Sequence, residues 1–465
     1  MNAADRIAGL TDLLGPDRVS TDASDLDHHG GDWSASALLG LRTGDRARPD
    51  CIVRPENVEE VSSVLSWASA TGTPVVPFGG GSGVSEGIVP EGCVVVDLGG
   101  MWRIGDIDTK SRTVLVEAGA TGPQLAEALA AQGYMVGHEP QSIEISTVGG
   151  WVATRACGQL SARYGGIEDR ICGLEAVLPD GRIVRSKINP RRSTGPDIAS
   201  LMLGSEGTLG IVTAVALRIV PIPESRSDRC LRFEHMADGV ASTRALAQSG
   251  LEPTMVRLYD AEDAALFLRN HPDAAPGPLL IMSFDGRAAA ERADEATRLM
   301  GGSQDDPALV AHWWEHRNDA VDLYRELMSG EGLLGPHAIV DTMEVSGTWS
   351  GLRTLYHSIK EALSAEADLV ACHVSHIYPD GACLYFTMGS ACDDDGTAAK
   401  KHHVWWETGL NTCIEAGGSI SHHHGVGRLK ADWMEAEWQG WWDVLRAVKS
   451  TLDPKGIMNP GALGL

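Results

Sequence analysis

The sequence predicts an α+β protein, and three observations support this. Short apolar runs alternate with amphipathic segments between Asp50 and about Ile222. Farther along, the glycine density falls, and longer amphipathic helices alternate with candidate strands. The 54 glycines gather in clusters typical of turns with close backbone approach, at 79–87, 149–166, 204–210 and 417–427. These changes predict three segments, 1–222, 223–416 and 417–465.

The elements follow from hydrophobic periodicity. In the first segment, apolar runs predict strands at 51–55, 74–78, 92–98, 113–119, 174–181 and 211–220. Helices are predicted at 122–133 and at 56–72, where the apolar face consists of Val58, Val61, Val64, Leu65 and Ala68. The second segment predicts helices at 286–300, 306–328 and 350–366, and strands near 277–284, 338–346 and 369–388. The last segment carries a helix rich in tryptophan.

Charge and cysteine content exclude several classes of protein. The 38 basic and 63 acidic residues give a net charge of -25, which argues against binding nucleic acid or an anionic membrane. An anionic substrate would therefore need a local cluster of Arg, His and helix N-termini. Nine cysteines without a C-x-x-C pair indicate free thiols rather than a disulfide framework or a zinc site. With no signal-like start and no long apolar run, we expect a cytoplasmic protein.

Three glycine-rich loops are candidate binding elements. Residues 77–85 directly follow a predicted strand, and successive glycines can turn several backbone N–H groups toward one anion. Their spacing matches neither G-x-G-x-x-G nor G-x-x-x-x-G-K-[ST], and this loop alone suits a turn without ligand equally well. Residues 137–166 and 193–213 repeat the same glycine and hydroxyl character. Together, three such loops favour a long dinucleotide.

The run His422-His423-His424 is the last candidate site. Adjacent side chains diverge on a strand or a helix, so a metal site is disfavoured although it stays open. A surface or structural role also stays open. Because imidazole titrates near neutrality, general acid–base chemistry fits this run better.

These segments resemble a known family. PVVPFGGGSGVSEG, STVGGWVATRACG, YGGIEDRI, STGPDI, GSEGTLGIVT and SISHHHGVGRLK are similar to segments of FAD-binding oxidoreductases of the vanillyl-alcohol-oxidase type. GHEPQSIEISTVGGWVATRA, ACLYF and the triple histidine most resemble the alkyldihydroxyacetonephosphate synthase family. The resemblance implies a two-lobed FAD-binding domain at 1–222, completed by 417–465. It also implies an α/β cap domain at 223–416, built on an antiparallel sheet that covers the flavin ring.

The resemblance also implies the cofactor contacts. The pyrophosphate would lie on Pro77, Gly79, Gly80, Gly81, Ser82, Gly83 and Val84. The flavin would be lined by Gln141, Ser142, Ser146, Thr147, Gly150, Ala153, Thr154, Arg155 and Ala156. The cofactor site would be completed by Glu206, Gly207, Gly210 and Ile211. Many superfamily members attach FAD to a histidine in the glycine loop; residues 80–82 contain none, which predicts non-covalent FAD.

By the same resemblance, Tyr385 matches a base near the flavin, and His422, His423 and His424 match histidines over the substrate. His138 matches a further functional histidine, Arg257 matches a cap arginine, and Arg325 is the candidate for a phosphate-binding arginine. The residues alone leave structural roles open for each of these: Tyr385 as a packed core tyrosine, Arg257 and Arg325 as ion-pair partners, and His138 as the cap of a turn. No metal is predicted.

The implied reaction exchanges the acyl group of an acylated ketone phosphate for an alcohol through a flavin N5 adduct, with a tyrosinate or an imidazole removing a proton. The substrate would be phosphorylated or acyl-bearing, and dimers, common in the superfamily, suggest a homodimer. The sequence departs from the synthase pattern at three places that bear on the substrate: Gln141 replaces an acid, 372–376 replaces a stretch with an arginine, and the loop near 330–336 differs. A FAD oxidase or dehydrogenase of a small 2-hydroxy acid or alcohol is the alternative, although G-H-x-G-D-G-N is missing. An inactive flavin-binding protein is the third.

Overall fold

The computed structural model describes residues 1–269, 276–330 and 334–465 and divides into two compact units. The first unit contains 1–157, 166–221 and 423–465, and the second contains 158–165 and 222–422. The division at 221/222 lies beside the predicted boundary, whereas 417–422 group with the second unit. Nothing in the sequence marks residues 158–165 as part of the second unit, because these eight residues lie between glycine-rich turns without a change of composition.

The first unit contains short strands between helices. Up to residue 157 its helices are α1 (Ala3–Leu14), α2 (Ala23–His28), α3 (Ala35–Thr43), α4 (Val58–Thr71), α5 (Gly122–Ala130) and α6 (Val148–Thr154). The strands there are β1 (Val19–Ser20), β2 (Cys51–Val53), β3 (Val75–Phe78), β4 (Val94–Asp97), β5 (Thr113–Glu117) and β6 (Tyr134–Met135). After α7 (Ser161–Tyr164), which belongs to the second unit, follow α8 (Ile167–Arg170), β7 (Ile171–Val177), β8 (Ile183–Arg185), β9 (Ile211–Arg218) and β10 (Val220–Pro221).

Two four-stranded sheets give the first unit its two lobes. One has the order β1-β2-β4-β3, in which β2, β4 and β3 are parallel. The other is antiparallel, with the order β5-β9-β7-β8, and β10 pairs with β6 beside it. Each lobe has its own apolar core.

Local sequence explains the helices that the periodicity predicted. α4 begins after Asn57, whose side chain accepts from the Glu60 N–H, and it ends at Gly72 in the left-handed region. Its five predicted apolar residues are all buried, which confirms the predicted face. α5 begins with a capping box between Thr121 and Gln124.

The second unit is built on one antiparallel sheet. Its strands are β11 (Arg226–Arg232), β12 (Met255–Tyr259), β13 (Leu279–Asp285), β14 (Ser303–Gln304), β15 (Ile339–Thr348), β16 (Leu369–Ile377) and β17 (Gly381–Ser390). Its helices after α7 are α9 (Met236–Ala247), α10 (Ala261–Phe267), α11 (Ala289–Met300), α12 (Ala308–His316), α13 (Ala320–Met328), α14 (Trp349–Ser364) and α15 (Asp395–Glu415). The strand order is β14-β11-β13-β12-β16-β17-β15.

Two predicted elements differ from the observed ones. The helix predicted over 306–328 is two helices, α12 and α13, and the apolar stretch 369–388 is a hairpin of β16 and β17. The turn at Tyr378–Asp380 carries polar residues and a proline, which end the first strand. Of the loop predicted to differ near 330–336, residues 331–333 lie outside the described part of the chain.

The C-terminal segment adds α16 (Met434–Trp438) and α17 (Gly440–Leu452) to the first unit. Lys449, buried on α17, donates to the Asp453 carboxylate at 2.6 Å and to the Thr208 carbonyl at 2.8 Å. The Val75 N–H donates to the Ile457 carbonyl, so the chain end lies along β3. Among the described residues, none of the helices has the length and apolarity to cross a membrane. The cytoplasmic location and the homodimer stay predictions.

Candidate active site

The first glycine loop begins where β3 ends. A Cβ at Gly80 would lie 2.0 Å from the Ile145 carbonyl oxygen, and one at Gly79 would lie 2.4 Å from Thr147 Oγ1. Glycine is therefore required for the first predicted cofactor loop to contact the second. Within the described residues, the backbone N–H groups of 80–84 donate to no acceptor. A row of such donors fits an anion.

The third loop contacts the same place. Glu206 donates its backbone N–H to the Ala153 carbonyl, and a Cβ at Gly207 would lie 2.8 Å from Pro77 Cγ. The second loop leads into α6, where Thr147 Oγ1 accepts from the Gly150 N–H at 3.3 Å. The three predicted loops are thus contiguous in the first unit, although about 130 residues separate the first from the third.

His138 is the second sign of a ligand in this unit. Its ring is buried 5.1 Å from that of Trp151, whose Nε1 donates to Ser146 Oγ. Neither ring nitrogen has a hydrogen-bond partner within the described ranges. Burial lowers the pKa of His138 to about 3, so the imidazole is neutral. An orphaned polar ring beside the loop of Ser146 and Thr147, together with unpaired N–H groups at 80–84, fits a bound dinucleotide.

Glu206, in the third glycine loop, binds the loop that follows the histidine run at Val426 and Gly427. Its buried carboxylate accepts from the N–H groups of Val426 at 2.6 Å and Gly427 at 2.7 Å. Burial raises the pKa of Glu206 to about 7. Nearby, Asp32 accepts from the Gly87 N–H at 2.8 Å, and burial raises its pKa to about 6.

In the second unit, cross-strand pairing assembles a polar face. Tyr385 pairs with Glu344 on one side and His373 on the other, and His373 pairs with Tyr259. Paired residues project on the same side of a sheet, and so do residues two apart. The residues on this side of β12, β15, β16 and β17 include Arg257, Tyr259, Thr342, Glu344, Ser346, His373, His376, Cys383 and Tyr385, and we call these nine residues the polar face.

A β-bulge places the two histidines of β16 together. The register shifts between Val374 and His376, so that His373 pairs with Tyr385 and His376 pairs with Cys383. Residues three apart on a regular strand would face opposite sides, and the extra residue brings both to the polar face. The opposite face is mainly apolar, with Asp341 as a buried exception, and α15 packs on Met343 there.

The polar face contains two hydrogen-bonded groups. In one, Arg257 Nη1 donates to His373 Nε2 at 2.9 Å, and His373 Nδ1 lies 2.6 Å from Asp263 Oδ2 on α10. The His373 ring stacks on Tyr385 with centroids 4.8 Å apart.

The other group surrounds His422. Its Nε2 lies 2.9 Å from the Tyr378 hydroxyl, and its ring stacks on His376 with centroids 4.8 Å apart. His376 Nδ1 is 2.6 Å from Ser161 Oγ on α7. The buried Glu344 carboxylate accepts from Ser421 Oγ at 2.9 Å and from the His422 N–H, and so fixes the backbone of the histidine.

Burial of its hydroxyl raises the pKa of Tyr385 to about 12, although a hydrogen bond with Thr342 and the charge of Arg257 act in the opposite direction. The phenol is therefore protonated at neutral pH. Of the two proton acceptors that the sequence left open, a tyrosinate and an imidazole, this pKa favours the imidazole.

The boundary between the two units falls within the histidine run. His422 belongs to the second unit, whereas His423 and His424 belong to the first, and the ring centroids of His423 and His424 lie 4.5 Å apart. Arg325 is exposed in the last turn of α13 and is not part of the buried polar face. The roles predicted for these three residues stay predictions.

Sequence reasoning missed several residues of the two groups: Asp263, Glu344, His373, His376, Tyr378 and Ser161. His373 and His376 were noted only as a departure from the synthase family. A signal was present, since an acid, two histidines and a serine inside apolar strands or turns need partners when they are buried.

Comparisons with known proteins place the chain in a family. Residues 49–187 match the FAD binding domain family, and residues 222–463 match the family of FAD linked oxidases, C-terminal domain. The chain belongs to the FAD-linked oxidase family. It is a FAD-dependent flavoenzyme, and the predicted cofactor and two-domain α+β fold class are confirmed.

Its relatives span several activities. The flavoenzyme is 33% identical to the uncharacterized FAD-linked oxidoreductase YgcU of Escherichia coli strain K12, over 98% of this chain and 97% of that protein. It is 30% identical to alkyldihydroxyacetonephosphate synthase of Caenorhabditis elegans, over 90% of this chain and 77% of the relative. The cytochrome D-lactate dehydrogenase of Arabidopsis thaliana is also 30% identical, over 90% of this chain and 73% of its own.

Solved structures agree with this placement. A structure of alkyldihydroxyacetonephosphate synthase superposes with a TM-score of 0.80 at 26% identity, over 98% of this chain and 84% of that one. The 4-ethylphenol oxidase of Gulosibacter chungangensis has a TM-score of 0.79 at 17% identity, over 99% and 97% of the two chains. The second likeness supports the fold alone.

Proposed function

We propose that this flavoenzyme carries out the reaction for which its synthase relatives are named, exchanging the acyl group of an acylated ketone phosphate for an alcohol. The observation that carries the proposal is the polar face, which holds an arginine, a protonated phenol and imidazoles on one sheet. A synthase relative of 30% sequence identity and a synthase structure with a TM-score of 0.80 at 26% identity support the same choice.

Bound FAD would supply a ring system that accepts and returns an electron pair at the substrate carbon. The residues that would hold it are those of the three glycine loops. Residues 80–84 would turn their N–H groups to the pyrophosphate, and the neutral His138 would provide a hydrogen-bond partner near Ser146 and Thr147. Because residues 80–82 offer no histidine, we propose that FAD is held without a covalent bond.

We assign the remaining steps to the second unit. Arg257 would bind the oxyanion of the substrate, since Nε and Nη atoms of a guanidinium recognise carboxylate and phosphate oxygens. Tyr385 would donate a hydrogen bond to the substrate carbonyl oxygen. The imidazole of His422, whose Nε2 lies 2.9 Å from the Tyr378 hydroxyl, would accept the proton from the carbon next to that carbonyl.

A second function is favoured by one observation. Arg257 is the one arginine among the described residues of β12, β15, β16 and β17 that project on this side of the sheet, and a single guanidinium suffices for a carboxylate. Oxidation of a small 2-hydroxy acid would use the same groups, and a relative of 30% identity is named D-lactate dehydrogenase.

Two parallel assays on the purified yellow protein separate these functions. In the first, acyldihydroxyacetone phosphate and labelled hexadecanol are incubated without an electron acceptor, and base-stable labelled ether is measured. In the second, 2-hydroxy acids are added anaerobically, and bleaching of the visible flavin absorbance is followed. We expect labelled ether and no bleaching. Stoichiometric bleaching by a 2-hydroxy acid, with no ether formed, would contradict the proposal and support the second function.

A further inference from the structure

A row of three side chains, of which Asp263 and His373 are buried, ends at the half-buried Arg257. Asp263 lies on α10, His373 on β16 and Arg257 on β12, and the two contacts that join them measure 2.6 and 2.9 Å. His373 is 8% exposed, and the Arg257 guanidinium also lies 5.3 Å from the Trp313 ring centroid, a cation–π contact. Residues of β16, α10 and α12 (His373, Asp263 and Trp313) therefore fix the position of the Arg257 guanidinium.

The chemistry of the donors settles the proton positions. A guanidinium can only donate, so His373 Nε2 must accept from Arg257 with its lone pair. Its proton therefore lies on Nδ1, from which it is donated to Asp263. His373 is held as one neutral tautomer, with an acceptor facing Arg257 and a donor facing the carboxylate.

Because the His373 imidazole lies between them, the Asp263 carboxylate does not contact Arg257 directly. Within the described ranges, no carboxylate oxygen lies within 4 Å of the guanidinium. A carboxylate in direct contact would neutralise Arg257 and occupy the donors that an incoming anion needs. In this part of the chain, the buried Nε of Arg257 also has no hydrogen-bond partner. The charge and one donor thus stay available.

We propose that His373 and Asp263 are positioning residues that hold Arg257 as the oxyanion-binding group of the substrate site. The ligand is a carboxylate or a phosphate, which share the oxygen geometry that a guanidinium recognises. The inference rests on the anionic substrate of the proposed function, but it holds for either of the two reactions, because both substrates carry such a group.

The test measures anion binding to the FAD-loaded protein by calorimetry, with oxalate and inorganic phosphate as probes. H373F keeps a flat ring against Tyr385 but removes both hydrogen bonds, and we expect its affinity for the preferred anion to fall roughly 10- to 100-fold. H373Q keeps an amide oxygen near the Nε2 position and should bind within about threefold of the parent. Since His373 acts through Arg257, H373F combined with R257L should bind no more weakly than R257L alone. Tighter binding of oxalate or of phosphate identifies the anion.

His402 and Asp341 supply a matched control. They form a buried histidine–aspartate pair at 2.7 Å on the apolar side of the same sheet, and H402F should leave anion affinity within about twofold of the parent. The inference is overturned if the parent binds neither probe, if H373F binds as the parent does, or if H402F weakens binding as much as H373F. It also fails if the H373F and R257L effects add. The assay needs no turnover, so a failed exchange reaction leaves its result unaffected.

Discussion

Replacing Glu206 with glutamine should make the protein less sensitive to pH. The Glu206 carboxylate is buried and accepts two backbone N–H groups from the loop after the histidine run. Burial nevertheless raises its pKa from 4.5 to about 7, because two hydrogen bonds and the attraction of Lys430 do not offset the lost hydration. The folded state therefore keeps this proton over a pH range in which the unfolded chain has released it.

The sign and size follow from proton linkage. A folded state that binds more protons than the unfolded state loses stability as pH rises, here between about 4.5 and 7. At about 1.4 kcal/mol for each pH unit between the two pKa values, the loss is about 3 kcal/mol. Most of it, about 2 to 3 kcal/mol, falls between pH 5 and 8. Asp32, with a pKa raised to about 6, adds a loss in the same direction.

Urea unfolding of the FAD-loaded protein at pH 5 and pH 8 measures this difference, with circular dichroism and flavin release as probes. Between the two pH values, the parent should lose about 2 to 3 kcal/mol more of its unfolding free energy than E206Q does. Because Asp32 is unchanged, E206Q should retain part of the fall. E127Q, at an exposed position on α5, controls for loss of one negative charge and should behave as the parent does.

Equal losses in the parent and E206Q would refute the reasoning, because the Glu206 proton would then not differ between the folded and unfolded states. A rise in stability from pH 5 to 8 in the parent, absent in E206Q, would reverse the sign and show that the hydrogen bonds outweigh burial.

Three further predictions concern the two units. Y385F should keep bound flavin and its fold but lose at least roughly 100-fold in kcat, because it removes the protonated phenol; unchanged turnover would contradict the role of Tyr385. G80A should purify without flavin, since its Cβ would lie 2.0 Å from the Ile145 carbonyl oxygen, whereas G440A, with open space at its Cβ, should stay yellow; a yellow G80A would disprove the contact. E344Q should lower the unfolding free energy by about 1.5 to 3 kcal/mol and reduce kcat at constant flavin content, because Ser421 Oγ or the His422 N–H then loses a charged acceptor. S421A removes only one of these two donors and should cost less; equal effects of E344Q and S421A would contradict the role of Glu344 in holding the His422 backbone.

The glycine-rich loops and the helices of the first unit could be predicted from the chain. The glycines at 79–81 stand together in the sequence as a cluster, which made the loop predictable, although Gly79 and Gly80 are required by contacts with Thr147 and Ile145 of the second loop. The apolar face of α4 was likewise predicted residue by residue, since helical periodicity is a local property.

The polar face of the second unit could be predicted only in part. Tyr385, Arg257 and His422 were reached through resemblance, whereas Glu344 and Asp263 were not reached at all. Their function depends on which strand lies beside which, and register is set by the whole sheet. The β16 bulge is an example. Strand alternation predicts that His373 and His376 project on opposite sides of the sheet, but one extra residue in the pairing places both on the same side.

The amino-acid order by itself determined the glycine-rich loops, the helices and the family, because these show as patterns of residues a few positions apart. The tertiary structure alone decided the tautomer of His373, the raised pKa values of Tyr385 and Glu206, and the exposure of Arg325. Hydration and hydrogen bonding at those groups are set by residues up to about 220 positions away, such as those that join Glu206 to Gly427. Such distances have no local pattern to mark them.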